Sequence, residues 1–121
     1  MEKQIYSYDE AYEESLRYFQ GDELAARVWV NKYAVKDSFG NIYEKSPEDM
    51  HWRIANEVAR IESKYPNGLT AKELYDLLDH FKYIVPQGSP MTGIGNDYQV
   101  ASLSNCFVIG VDGAADSFGA L

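Results

Sequence analysis

The chain has 121 residues, a single cysteine and a formal net charge of −8. This acidic balance excludes DNA and RNA as partners, because a nucleic-acid binder needs a basic surface to neutralise phosphates; a small nucleotide is not excluded, since a few backbone N–H groups can hold a phosphate. The sequence shows no signal peptide and no apolar run near the ~20 residues that span a bilayer. Its lone cysteine cannot form an internal disulfide. We therefore expect a cytoplasmic protein without a membrane partner.

The first forty residues contain capping and turn residues that predict two helices and a connection after them. Residues 7–10, Ser-Tyr-Asp-Glu, form a capping-box pattern, which predicts a helix to about residue 19. Asp22 can cap a second helix that fades near residue 33, with Leu24, Val28, Ala25 and Trp29 predicted to face inward. Turn residues at 37–41 then predict a short β-hairpin or an extended loop.

Two further helices are predicted in the middle of the chain. Residues 46–49, Ser-Pro-Glu-Asp, provide a cap, a proline at the first helical position and acids in the first turn. A second capping box at residues 70–73 starts the fourth helix, which runs to about residue 81. We interpret the apolar stripes of both helices as core packing. His51 and His80 have no metal-ligand spacing, and we assign them structural roles.

The pattern changes after residue 82. A Gly-rich loop at 87–97 lacks both the dinucleotide fingerprint and the phosphate-binding Gly-Lys-Ser/Thr motif, so it is either a backbone that approaches a ligand closely or an ordinary connection. Residues 99–111 predict a buried strand, which indicates the front of a larger α/β domain. Cys106 lies on this strand, and it is either a small buried apolar residue or a redox thiol.

Several segments resemble the large, catalytic subunit of ribonucleotide reductases. They are residues 83–96 and 102–109 (Ser-Leu-Ser-Asn-Cys-Phe-Val-Ile), with 116–119, 21–25 and 31–37 in support. The resemblance implies an α/β fold in which an N-terminal helical domain, residues 1–82, leads into the first strand of a ten-stranded α/β barrel. Residues 83–121 would then be the start of this catalytic barrel, with a substrate loop, the first strand and the start of an effector region.

The resemblance also implies roles for single residues. Cys106 corresponds to one of the two thiols that reduce the ribose, and a thiol pair that becomes a disulfide supplies the two electrons required. Ser89 corresponds to a position that contacts the ribose, and Asn105 to the residue beside the cysteine at the substrate. Asp116 and Ser117 correspond to the region that binds a deoxynucleotide effector.

The remaining implications concern cofactors and partners. The resemblance implies a ribonucleoside-diphosphate reductase that uses thiyl-radical chemistry, with adenosylcobalamin or a radical-generating small subunit as the radical source. A dithiol such as thioredoxin would be the reductant, and the complete catalytic subunit would be a homodimer. The chain by itself is expected to be an inactive part of this enzyme that binds none of these cofactors. Two alternatives stay open: a non-catalytic acidic helical interaction module, and a nucleotide-binding module that uses Asp116 and Ser117.

Overall fold

The structure, a computed structural model, describes residues 3–110 and places five α-helices among them. In chain order these are α1 (Tyr8–Tyr18), α2 (Glu23–Lys32), α3 (Pro47–Glu62), α4 (Ala71–Leu78) with a 3₁₀ turn directly after it (Asp79–Phe81), and α5 (Gly88–Gly93). None of the described helices is both long enough and apolar enough to cross a membrane.

The predicted starts of the helices are largely confirmed by their caps. In α1 the Ser7 hydroxyl accepts from the Glu10 N–H at 3.2 Å, and the Glu10 carboxylate accepts from the Ser7 N–H at 2.8 Å. Asp22 caps α2, and the Thr70 hydroxyl caps α4 by accepting from the Glu73 N–H. The start of α3 differs, because the side chain of its N-cap residue, Ser46, makes no capping hydrogen bond. The Asp49 carboxylate accepts instead from the Lys45 N–H, at 3.0 Å.

The inward face of α2 was predicted only in part: the prediction is correct for Trp29 and wrong for Leu24 and Val28, and Ala25 is half-buried. Leu24 and Val28 are exposed, whereas Ala26, Trp29 and Val30 are buried. The sequence allows both faces, because apolar residues recur at helical spacing on each of them. The larger ring of Trp29 decides between them: it buries the most apolar area and donates its indole N–H to the Met50 sulfur at 3.3 Å.

One hydrophobic core unites the helices. The helices α1 and α2 pack against each other, as do α3 and α4. The core residues are Ala11, Trp29, Val30, Ala34, Ile42, Met50, Ile54, Ala55, Leu74, Leu78 and Met91. Met91 belongs to α5, so this short helix rests on the same core as the helices before it. The division into domains at residue 82 stays a prediction.

The predicted α/β fold is wrong: the described chain is an all-helical domain, with no sheet and no first barrel strand among residues 3–110. Its β contacts are two isolated bridges, Tyr6 with Ile42 and Lys36 with Ile42. Residues 99–110 form no strand, and Val108 and Ile109 are exposed. The physical reason is that an apolar run makes a segment able to pair, whereas a strand exists only where a neighbouring strand takes its backbone N–H and C=O groups.

A buried polar cluster joins α1, α3 and the 3₁₀ turn. The Tyr18 hydroxyl donates to Asp79 Oδ1 at 3.2 Å and accepts from the His80 N–H at 2.7 Å. The His51 ring lies in the core, with Nδ1 3.5 Å from the Tyr18 hydroxyl. Among the described residues its Nε2 has no hydrogen-bond partner. Both His80 and Phe81 have a positive φ, so this cluster holds a strained backbone in place.

The stability of the chain should fall between pH 7 and pH 5 because of His51. Burial lowers the pKa of His51 to about 4 from 6.5, although Asp79 opposes the shift. Between these values the unfolded chain binds a proton that the folded chain does not, so the free energy of unfolding decreases as the pH falls, by about 2 kcal/mol. Urea denaturation at the two pH values measures this loss.

His51→Gln provides the control for this prediction, since it removes the titrating ring and leaves Asp79 and His80 in place. The variant should lose clearly less stability than the wild-type chain over the same pH interval. An equal loss in both proteins would assign the pH dependence to other groups.

Candidate functional site

The residues predicted as a Gly-rich loop contain α5, which carries Ser89. Pro90 lies in the first turn of this helix, where a missing backbone N–H costs no hydrogen bond. The Thr92 hydroxyl donates to the backbone oxygens of Gly88 and Ser89 at 3.3 and 3.2 Å. This part of the loop is therefore an ordered helical turn that holds the Ser89 backbone in one position.

Ser89 and Asn105, which the sequence assigns to the same substrate site, are in direct contact. The Ser89 N–H donates to Asn105 Oδ1 at 2.7 Å, and Asn105 Nδ2 donates to Gln87 Oε1. The Asn105 amide thus joins the segment of residues 99–110 to the first turn of α5. Sixteen residues separate Ser89 from Asn105 in sequence, so only the tertiary fold brings them together.

A cleft of about 240 Å³ opens at this contact, lined by Lys32, Tyr33, Gly88, Ser89, Thr92 and Asn105. Lys32 and Tyr33 come from the end of α2, and no sequence motif predicts their presence at this site. Tyr33 packs so close to Gly88 that a Cβ atom there would lie 3.5 Å from the ring. The cleft is smaller than the ~300–1,000 Å³ pockets that enclose drug-sized ligands, so it suits a fragment such as a ribose.

Cys106 follows Asn105 directly and is exposed. An accessible thiol can exchange with another thiol or disulfide, whereas a thiol enclosed in a core cannot. Cys106 is therefore a solvent-accessible thiol that follows a cleft residue in sequence, although its side chain does not line the cleft. Asp116 and Ser117, the predicted effector residues, lie outside the described residues.

A buried ion pair lies behind α5. Arg53 Nε donates to Glu44 Oε2 at 3.1 Å, and the Val35 N–H donates to Glu44 Oε1 at 2.9 Å. Burial raises the pKa of Glu44, and the Arg53 guanidinium opposes this shift. Arg53 also donates to the backbone oxygens of Met91 and Ile94. The pair thereby connects α3 and the segment after α2 to the end of α5.

A larger cavity of about 450 Å³ lies on the other side of this ion pair. Four carboxylates and two cations line it: Glu44, Asp49, Glu57 and Asp97 against Lys3 and Arg53. This excess of negative charge disfavours a phosphate-bearing ligand. It contains none of the predicted site residues, so the smaller cleft at Ser89 and Asn105 is the candidate site.

The chemistry available at the cleft is that of hydroxyls, an amide, one ammonium and a nearby thiol. Hydroxyl and amide groups donate and accept hydrogen bonds, as recognition of a sugar requires. Within residues 3–110 no group of three or more His, Cys, Asp or Glu side chains is placed to hold a metal ion.

Comparison with known proteins gives one family. The family model described as "Ribonucleotide reductase, all-alpha domain" matches residues 19–93, which is more than half of the chain and includes α2, α3, α4 and α5. No curated protein and no solved structure matches the chain.

Proposed function

Because the chain belongs to the family of ribonucleotide reductase all-alpha domains, we propose that it is the N-terminal part of a catalytic subunit that reduces ribonucleotides to deoxyribonucleotides. The observation that carries the proposal is the Ser89–Asn105 contact at the cleft, with Cys106 next to it. These residues are the ones that the resemblance assigns to ribose binding and to reduction. The family match includes Ser89 but ends at residue 93, so the roles of Asn105 and Cys106 are supported by the resemblance and by the contact geometry.

The proposed reaction consumes two thiols. The 2′-hydroxyl of the ribose leaves as water and a hydrogen takes its place, while two cysteine thiols lose their hydrogens and form a disulfide. Cys106 is the only cysteine of the chain, so the second redox cysteine belongs to another part of the enzyme. A dithiol of the thioredoxin kind then restores both thiols by disulfide exchange.

In this proposal Ser89 and Asn105 hold the ribose at the thiol. The Asn105 amide is already oriented by Ser89 and Gln87, so little rotational freedom is lost when substrate binds. The cleft of about 240 Å³ is assigned to the ribose in this proposal and not to adenosylcobalamin. Neither this cofactor nor a radical-generating small subunit is assigned to the described residues.

The partners of the complete enzyme are part of the proposal. They are a ribonucleoside diphosphate as substrate, a deoxynucleotide effector, the remainder of the catalytic subunit and a second copy of it. The direct test is an assay of the complete reductase with the four ribonucleoside diphosphates and a dithiol. Formation of deoxyribonucleotide supports the proposal, and a protein that binds ribonucleotides without reducing them would contradict it.

Replacing Ser89 by Ala in the complete reductase should raise KM for the ribonucleotide by about 5- to 150-fold. This range corresponds to about 1–3 kcal/mol, the cost of leaving a buried hydrogen-bonding group of the bound sugar without its partner. Steady-state kinetics measures the effect. Ser104→Ala is the matched control, because Ser104 is exposed and does not line the cleft. Equal KM values for both variants would remove Ser89 from the substrate site.

A further inference from the structure

We infer that Arg53 is a positioning residue for the substrate cleft: through its hydrogen bonds to the end of α5, it sets the position of Ser89 and, through Ser89, that of Asn105. The inference rests on the proposed function for its catalytic consequence. Its structural part concerns only the described contacts and can be tested separately.

The Arg53 side chain is nearly enclosed and uses all three of its nitrogens. Nε donates to Glu44 Oε2 at 3.1 Å, Nη2 donates to the Met91 oxygen at 2.5 Å, and Nη1 donates to the Ile94 oxygen. The side chains of Arg53 and Glu44 are 11% and 6% exposed. Such a pair resists rearrangement, because moving either partner leaves the other as an unpaired buried charge.

The two backbone oxygens that Arg53 binds lie where α5 ends. The last carbonyl groups of a helix have no partner within the helix, and they must be satisfied from outside. In α5 the guanidinium supplies two of these donors and Asn96 Nδ2 supplies another, to the Thr92 oxygen at 3.0 Å. Arg53 therefore fixes α5 from its C-terminal end.

This fixation reaches the cleft through a short path. Helix α5 has only six residues, so Ser89 lies less than one turn from Met91. A shift or rotation of α5 would separate the Ser89 N–H from Asn105 Oδ1, a contact of 2.7 Å. Glu44 also accepts from the Val35 N–H at 2.9 Å. Val35 lies two residues after Tyr33, which forms another wall of the cleft. The Arg53–Glu44 pair thus positions both the α5 wall and the Tyr33 wall of the cleft.

Only an arginine fits this arrangement. The planar guanidinium points its donors in fixed, diverging directions and can serve a carboxylate and two carbonyl groups together. A lysine in its place keeps the charge but has one nitrogen, which cannot reach both the carboxylate and the two oxygens at the end of α5. Arg53→Lys therefore separates the loss of geometry from the loss of charge.

The test compares Arg53→Lys with two control variants on the same helix, all in the complete reductase. Arg60→Met removes an arginine whose side chain is 61% exposed and donates its hydrogen bonds to Glu57 rather than to α5. Ile54→Val removes a buried methyl group next to Arg53 in sequence and measures the effect of a mild core defect. Each protein is assayed for KM and kcat and for hydrogen exchange at the Ser89 amide.

Arg53→Lys should raise KM for the ribonucleotide by at least about tenfold, since misplacement of a binding group by about 1 Å costs up to ~100-fold. It should also speed exchange of the Ser89 amide, whereas both controls keep wild-type values of KM and of exchange. If the Lys variant does not fold, Glu44→Gln provides a second test: it keeps the size of the side chain and removes the charge that orients Arg53, so it should also speed exchange of the Ser89 amide.

Three failures can be told apart. Wild-type exchange at Ser89 in the Lys variant would overturn the positioning role, whatever the activity. Faster exchange with an unchanged KM would overturn the link from Arg53 to substrate binding. A wild-type enzyme that reduces no ribonucleotide would contradict the proposed function, and the exchange rates would still decide whether Arg53 positions Ser89.

Discussion

Replacing Cys106 by Ser in the complete reductase should abolish multiple turnover on ribonucleotides. A serine hydroxyl cannot form a disulfide, so the variant cannot supply the two electrons that removal of the 2′-hydroxyl requires. The hydroxyl has nearly the size of the thiol and the position is exposed, so the fold and the binding of a deoxynucleotide effector should be nearly unchanged. Deoxyribonucleotide formed per enzyme, with the dithiol in excess, measures the loss.

Ser104→Ala again serves as the matched control, because it changes an exposed side chain two residues away without removing a thiol. It should turn over like the wild type. Undiminished turnover by Cys106→Ser would show that the thiol has no part in the reduction.

Replacing Trp29 by Ala should lower the free energy of unfolding by about 3–5 kcal/mol, the usual cost of removing a large aromatic ring from a core. The Trp29 ring is only 2% exposed and fills the core between α2 and α3, where its N–H meets the Met50 sulfur. Its removal leaves a cavity that the surrounding helices cannot close. A domain of ordinary stability, about 5–15 kcal/mol, would lose a large part of its margin.

Trp52→Ala is the matched comparison, because both substitutions remove an indole and the two rings differ in how deeply they are buried. The Trp52 ring stacks on Tyr75 at 4.1 Å but is 36% exposed. Its loss should cost clearly less than the loss of Trp29, because part of the Trp52 ring is already in water in the folded chain; the stack with Tyr75 contributes about 0.5–1.5 kcal/mol beyond the area that it buries. Chemical denaturation of both variants, followed by circular dichroism, gives the two values. Equal losses would mean that the core is not arranged around Trp29.

The sequence predicted the helices well where local chemistry decides them. Capping side chains such as Ser7, Asp22 and Thr70 satisfy backbone groups within three residues of themselves, so their effect can be recognised without the tertiary fold. The short helix α5 was missed, because its two glycines and its proline are typical of a loop. Burial of Met91 and the donors from Arg53 stabilise it, and both are tertiary contacts.

The candidate site could be predicted only in part for the same reason. The resemblance indicated Ser89, Asn105 and Cys106, and the structure places the first two in contact with the third beside them. Lys32 and Tyr33 reach the cleft from the end of α2, and no local pattern marks them. The strand predicted at residues 99–111 does not form over the described residues 99–110, because strand formation depends on a partner strand, which an apolar run does not report.

The most direct measurement is the state of Cys106 after a limited turnover. The complete reductase is given ribonucleotide without any external dithiol, and the disulfides are then mapped by mass spectrometry. The proposed function predicts that Cys106 becomes joined to a second cysteine of the enzyme, in an amount equal to the deoxyribonucleotide formed. Deoxyribonucleotide that accumulates while Cys106 remains a free thiol would contradict it.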